Sequence, residues 1–333
     1  MRFARAFVAL GVVLLAAALV LVTMRLTTAG DTLAARATMP AGWLLIRPPY
    51  EVSALVIEGE TVWAGGSDGL QPIDGATGRL LPLPEGAPHM RYVRGLLLDT
   101  AGNLWVAHAS GVTVREPAGW RTLTEADGLP PPRYLSLLQD RDGAVWVGAE
   151  TGAARLVDGR WRIYTTADGL ARPSVDVIFQ DRDGVLWFGA SHPTEGGLTR
   201  HDGRTWQAID AESVLPHASV NDIMQDAQGA IWVSTGYARR GGAARLFEGA
   251  WTSLTREDGL AGERVRSIFQ DPLGRLWFAS EYDGAAIRKE ESWLLITPRQ
   301  GLAGWEVKDS AIDSRGVLWL GTENGVSRVS ELP

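Results

Sequence analysis

From residue 51 onward the apolar positions fall in short runs closed by glycine and aspartate. The segment Gln180-Asp181-Arg182-Asp183-Gly184-Val185-Leu186-Trp187-Phe188-Gly189 has close relatives around Trp63, Trp105, Trp146, Trp232, Trp277 and Trp319, and these anchor tryptophans stand 41 to 45 residues apart. A period of that length built from strand-like pieces indicates propeller blades. The clearest unit predicts four strands, Val175–Gln180, Val185–Gly189, Leu198–His201 and Trp206–Ile209. Asp183-Gly184, Asp158-Gly159 and Asp202-Gly203 supply the hairpin turns, with glycine taking positive φ. The strand bearing each anchor is apolar at adjacent positions, as expected of a sheet buried on both faces. A small residue follows two places on: Gly65, Ala107, Gly148, Gly189, Ser234, Ala279 or Gly321. It lets the neighbouring sheet approach.

A second tryptophan recurs at Trp120, Trp161, Trp206, Trp251 and Trp293, each 26 residues before the next anchor. The last unit ends after three strands, Val307–Asp313, Val317–Gly321 and Val326–Val329, while Trp43-Leu44-Leu45-Ile46 resembles the fourth strand of the others. The expected fold is therefore all-β: a seven-bladed β-propeller of four-stranded blades, closed by an N-terminal strand that hides both sheet edges.

The units resemble the two-component regulator propeller repeat, whose Asp-Gly-Leu loop, Gln-Asp-x-x-Gly-x-Leu-Trp-Phe-Gly core and trailing Gly-Leu-x-Arg appear almost whole in residues 168–200. The resemblance covers about residues 50–330 and is weakest around Trp63, where Arg79 stands in place of the second tryptophan. It implies an extracytoplasmic, sensor-type propeller of the kind found in hybrid histidine kinases, often linked to glycan use. Virginiamycin B lyase, a seven-bladed enzyme, is similar in its Asp-Gly-x-x-Trp-Phe repeats and implies a catalytic alternative.

Ahead of the repeats, Ala6–Met24 carries no charge and follows Arg2 and Arg5. Its 19 residues span roughly 28 Å as a helix, close to a bilayer core of about 30 Å. A retained transmembrane anchor is expected over a cleaved signal peptide, whose apolar core runs about 7–15 residues, with Thr27-Thr28-Ala29 as the alternative cleavage point. Either way the arginines keep the N-terminus inside and place the rest outside. The expected division is an anchor or signal segment at 1–30, a linker at 31–40 and the propeller at 41–333. The protein is then a single-pass membrane protein, or secreted if cleaved.

Composition narrows the chemistry. The chain lacks cysteine, which removes disulfides, thiolate metal sites and a cysteine nucleophile. Its formal net charge is −7, with no basic run, which argues against nucleic acid. No cofactor and no metal site is expected: the recurring Asp-x-Asp-Gly lacks the later ligands of a calcium loop and reads as a turn.

Binding residues are expected on the face that carries the loops between blades and the second-to-third strand loops, where both insertions, His192–Gly197 and Gly236–Gly242, lie. Thirteen of the 14 tryptophans hold repeat positions; Trp305 does not, and it sits beside Glu306. Stacking on a ligand and plugging the mouth are both open to it. Arg133, Arg172 and Arg264, with Arg239 and Arg240, could grip carboxylates, and His192 and His217 fall on the same face. No catalytic residue is assigned. The expected function is a membrane-anchored extracytoplasmic recognition module for a small ligand, a glycan included, or an envelope protein. The alternatives are a lyase-type or glycan-acting enzyme at the channel mouth and an envelope assembly scaffold.

Overall fold

The computed structural model describes residues 39–290 and 292–333, so the expected anchor or signal segment lies outside the described residues. Among these, no helix is long and apolar enough to cross a membrane. The described chain forms seven antiparallel sheets arranged as blades. Blade 1 spans 54–74, blade 2 95–123, blade 3 134–164, blade 4 177–209, blade 5 220–254 and blade 6 265–296. Blade 7 joins Val307–Ile312, Leu318–Thr322 and Gly325–Val329 to the N-terminal strand Trp43–Ile46, which pairs Trp43 with Val329 and Ile46 with Val326. The first strands of successive blades contact one another in a closed ring, so they are the inner strands.

Six blades have four strands; blade 1 has three. Its outer strand is replaced by a single bridge between Ile73 and Leu80, covered by the side chain of Gln71, which donates to the carbonyls of Pro72 and Leu81. The cause is local. Arg79 replaces the outer tryptophan, and Pro82 and Pro84 interrupt the pairing that a fourth strand would need.

Between blades the packing follows the repeat. Trp187 lies in one buried cluster with Val220, Ile223, Val233 and Ala244 of the next blade. A Cβ at Gly189 would come 2.5 Å from Val220 Cγ1, which is why that position is small. The Asp-Gly-Leu loop has a similar logic. The Asp168 carboxylate caps the backbone N–H of Thr165 at 2.9 Å, Gly169 takes φ 122° against Trp206, and Leu170 is buried. The outer tryptophans are thus seats for the preceding loop glycine, and Gly301 seats on Trp43 in the same way.

Candidate functional site

The inner strands start at one end of the channel and the anchor-bearing strands finish there. A cavity of about 750 Å³ opens at that end. It is lined by Arg94, Leu135, Asp176, Asn221, Arg266 and Lys308 at or just before the inner-strand starts of blades 2 to 7, with Arg133, Glu150, Ser191, Ser53, Ala109 and Tyr92 around them. The first six share one repeat position, eleven residues before an anchor tryptophan. Side chains there bind across blades: Asn221 Nδ2 donates to the Val265 carbonyl at 2.8 Å, and Ser191 Oγ donates to Asn221 Oδ1 at 2.9 Å.

Charges run in alternation around one side of the mouth. Arg264 meets Glu281 at 2.6 Å, Arg266 meets Glu306 at 2.8 Å, and Lys308 reaches Glu306 at 3.5 Å and Glu51 at 2.8 Å. Burial pushes the Glu306 carboxyl upward against the pull of Arg266 and Lys308. Burial acts on Glu51 in the same sense, but the hydrogen bond and charge of Lys308 outweigh it and hold the carboxyl low. On blade 4 burial raises Asp176, although Ser174 Oγ and Ser191 N both donate to its Oδ2.

Two more carboxylates sit on the inner strands at β-bulges. Asp222 accepts from Ile223 N and from Ile268 N of the next blade, and Asp309 accepts from Ser310 N and from Leu55 N of the next blade. Each satisfies an inner-strand N–H that faces no further strand. Burial pushes Asp222 up to about 6 and Asp309 up to about 7.

The residues singled out in the sequence divide between this cavity and its surroundings. Arg133 lines it, exposed and paired with Glu150 at 2.9 Å. Glu306 and Arg264 belong to the charge chain, and Arg264 also lies over the Tyr237 ring at 5.4 Å. Trp305 is 44% exposed and is not part of the cavity lining; Glu323 accepts from its backbone N–H and from that of Glu306. Arg172 and His192 line a neighbouring cavity of about 390 Å³ that shares Leu135, Glu150, Asp176 and Ser191 with the axial one. The His192 Nδ1 accepts from Glu195 N, which fixes the insertion. His217 accepts from Ser219 N, and burial, with Arg240 and Arg264 nearby, disfavours its protonation. His108 is buried against Thr113 and pushed down to about 4. Lys308 is expected from the sequence to reach the channel from an innermost strand, whereas sequence reasoning passed over Asp176, Arg266, Arg94 and Asn221. Their signal was the variety of residue types at one repeat position in otherwise apolar strands.

Among the described residues no group of three or more histidine, aspartate or glutamate side chains is arranged to hold a metal ion. The cavity offers carboxylates, guanidinium groups, an ammonium and an amide for hydrogen bonding.

Residues 128–151, 214–237 and 259–282 match the family model of the two component regulator propeller. Among solved structures the chain is similar to the extracellular domain of a hybrid two component system from B. thetaiotaomicron, at 17% identity and a TM-score of 0.75 over 86% of this chain and 41% of that one. A second such domain from that organism gives 17% identity and a TM-score of 0.69 over 88% and 40%. The chain thus spans about two fifths of the length of these domains. It is also similar to a catalytically inactive virginiamycin B lyase from Staphylococcus aureus with quinupristin, at 16% identity and a TM-score of 0.64, over 87% of this chain and 98% of that one. No curated protein matches it significantly. Three blades of this seven-bladed propeller, 3, 5 and 6, thus carry a segment that matches the two component regulator propeller model.

Proposed function

We propose that this protein is an extracytoplasmic recognition module that holds its ligand at the axial mouth and does no chemistry on it. The observation that carries this reading is the 750 Å³ cavity at the end with the variable loops, walled by six charged side chains, four of them at the repeat position where the inner strands start. Sites of that size on a constant scaffold are the usual form of a small-ligand pocket. The likeness to extracellular domains of two component systems supports a sensor-like role, and Ala6–Met24 supports attachment to a membrane.

The test is a ligand screen by thermal shift on the full chain, since a specific ligand stabilises the native state by mass action. Arg266→Ala should abolish the shift. Trp305→Ala, at the rim, should weaken binding by about 1–3 kcal/mol, the order of one aromatic contact, with little change in melting temperature. Arg160→Ala and Arg204→Ala, on the opposite turns, should do neither. A shift lost on those turns and kept in Arg266→Ala would overturn the choice of face. Alkaline phosphatase fused after Pro333 should be active, and an inactive fusion would overturn the placement outside the cytoplasm.

The enzyme reading has one observation in its favour: the likeness to the lyase runs over nearly all of that enzyme. Mass spectrometry of a bound ligand after incubation separates the two, because recognition returns it unchanged.

A further inference from the structure

Six charged side chains line the axial cavity: Arg94, Arg133, Glu150, Asp176, Arg266 and Lys308. Four are neutralised locally, Arg133 and Glu150 by each other, Arg266 by Glu306 and Lys308 by Glu51. Arg94 and Asp176 make no close ion pair among the described residues, and feel the longer-range attraction of Glu51 and Arg266 respectively. Both hydrogen bonds to the Asp176 carboxylate go to Oδ2, and Oδ1 has no hydrogen-bond partner among the described residues.

The two hold the same repeat position on blades 2 and 4, and the equivalent residue on blade 3, between them, is Leu135. The wall therefore presents a cation, an apolar side chain and an anion in order around the ring. A charge brought into such a site costs free energy unless it is paired. A ligand with one charge pairs one of these side chains and leaves the other as it was.

We propose that the axial cavity binds a small zwitterion, its carboxylate on Arg94, its ammonium on Asp176 and its apolar body over Leu135. Free α-amino acids and short unblocked peptides share that chemistry. This rests on the mouth-recognition reading and names the ligand class of the same site.

The experiment is isothermal titration calorimetry on the full chain with leucine and tri-leucine as the two zwitterionic probes, their N-acetyl and C-amide derivatives, and a neutral trisaccharide. At least one zwitterion should bind, and the preferred one tells amino acid from peptide. Blocking either end should weaken binding by about tenfold to a hundredfold, the range for a hydrogen bond to a charged group. Arg94→Gln should erase the penalty of the C-amide alone, and Asp176→Asn that of the N-acetyl group alone. If Asp176→Asn fails to fold, the Arg94→Gln arm decides, because that side chain is exposed. Absence of zwitterion binding, or blocked forms that bind as well as free ones, would overturn the proposal. A trisaccharide that binds and is lost in Arg266→Ala would overturn it while leaving the mouth-recognition reading standing. Zwitterion binding that survives Arg266→Ala and is lost in Arg204→Ala would overturn both.

Discussion

The indole Nε1 of Trp187 donates to Asp181 Oδ2 at 2.8 Å, and the other carboxylate oxygen accepts from Asp183 N and Val185 N. One side chain thereby shapes the hairpin turn and fixes the wedge that packs on the next blade. The same bond joins Asp99 to Trp105, Asp140 to Trp146, Asp226 to Trp232 and Asp271 to Trp277. Blade 1 has a shorter turn, and there Glu58, one methylene longer, reaches Trp63 at 2.9 Å. The preceding glutamine ties neighbouring turns together: Gln180 accepts from Arg141 N of the blade before and donates to its own Gly184 carbonyl.

Asp181→Ala leaves the buried Trp187 indole N–H and two backbone donors of a partly exposed turn unpaired, so it should cost about 2–3 kcal/mol. Trp187→Phe removes a single donor and trims the ring, and its loss should be smaller. Urea denaturation checks the order; equal losses would show that the carboxylate does nothing beyond meeting the indole.

Stability should rise as the pH is lowered from 8 to about 6. Asp309 and Asp222, raised by burial to about 7 and about 6, favour folding when protonated and lose that contribution as pH climbs through those values. Below about 6.5 the rise should become shallower without reversing, because His108, pushed down to about 4, resists one proton that the unfolded chain accepts while the two aspartates hold two that it does not. Melting curves across this range test the sign, and Asp309→Asn should flatten the upper limb.

The closing strand should matter more than its four residues suggest. Trp43 and Ile46 are buried, and each contributes about 1.5–3 kcal/mol on burial. A chain beginning at Glu51 leaves Gly325–Val329 as an open edge and should melt well below one beginning at Met39, or aggregate. Equal melting temperatures would remove the closure from the account.

Arg266→Met should destabilise by about 3 kcal/mol, since it leaves Glu306 buried beside Lys308 alone. Adding Glu306→Gln should restore part of that loss, and a double-mutant cycle by chemical denaturation measures the coupling. Strict additivity would show that the two groups do not interact.

Much of this was legible along the chain. The blade count, the strand order and the identity of Trp43 as a stray outer strand follow from spacing, because each repeat is a local unit whose turns and wedges are set by residues a few places apart. Other features depended on distant parts of the chain. That blade 1 stops at three strands depends on whether the stretch around Arg79 finds a partner. The Asp–Trp bond was hidden in a motif that reads as a turn. The site was less visible still: Trp305 stood out by breaking the repeat, whereas Arg94, Asp176 and Arg266 keep it and stand out only when seven inner strands are brought around one axis. Position in the repeat, which the sequence carries, decides which side chains face the channel. Only the closed ring decides which of their charges meet and cancel and which are left for a ligand, because those partners come from different blades, as far apart in the chain as Glu51 and Lys308.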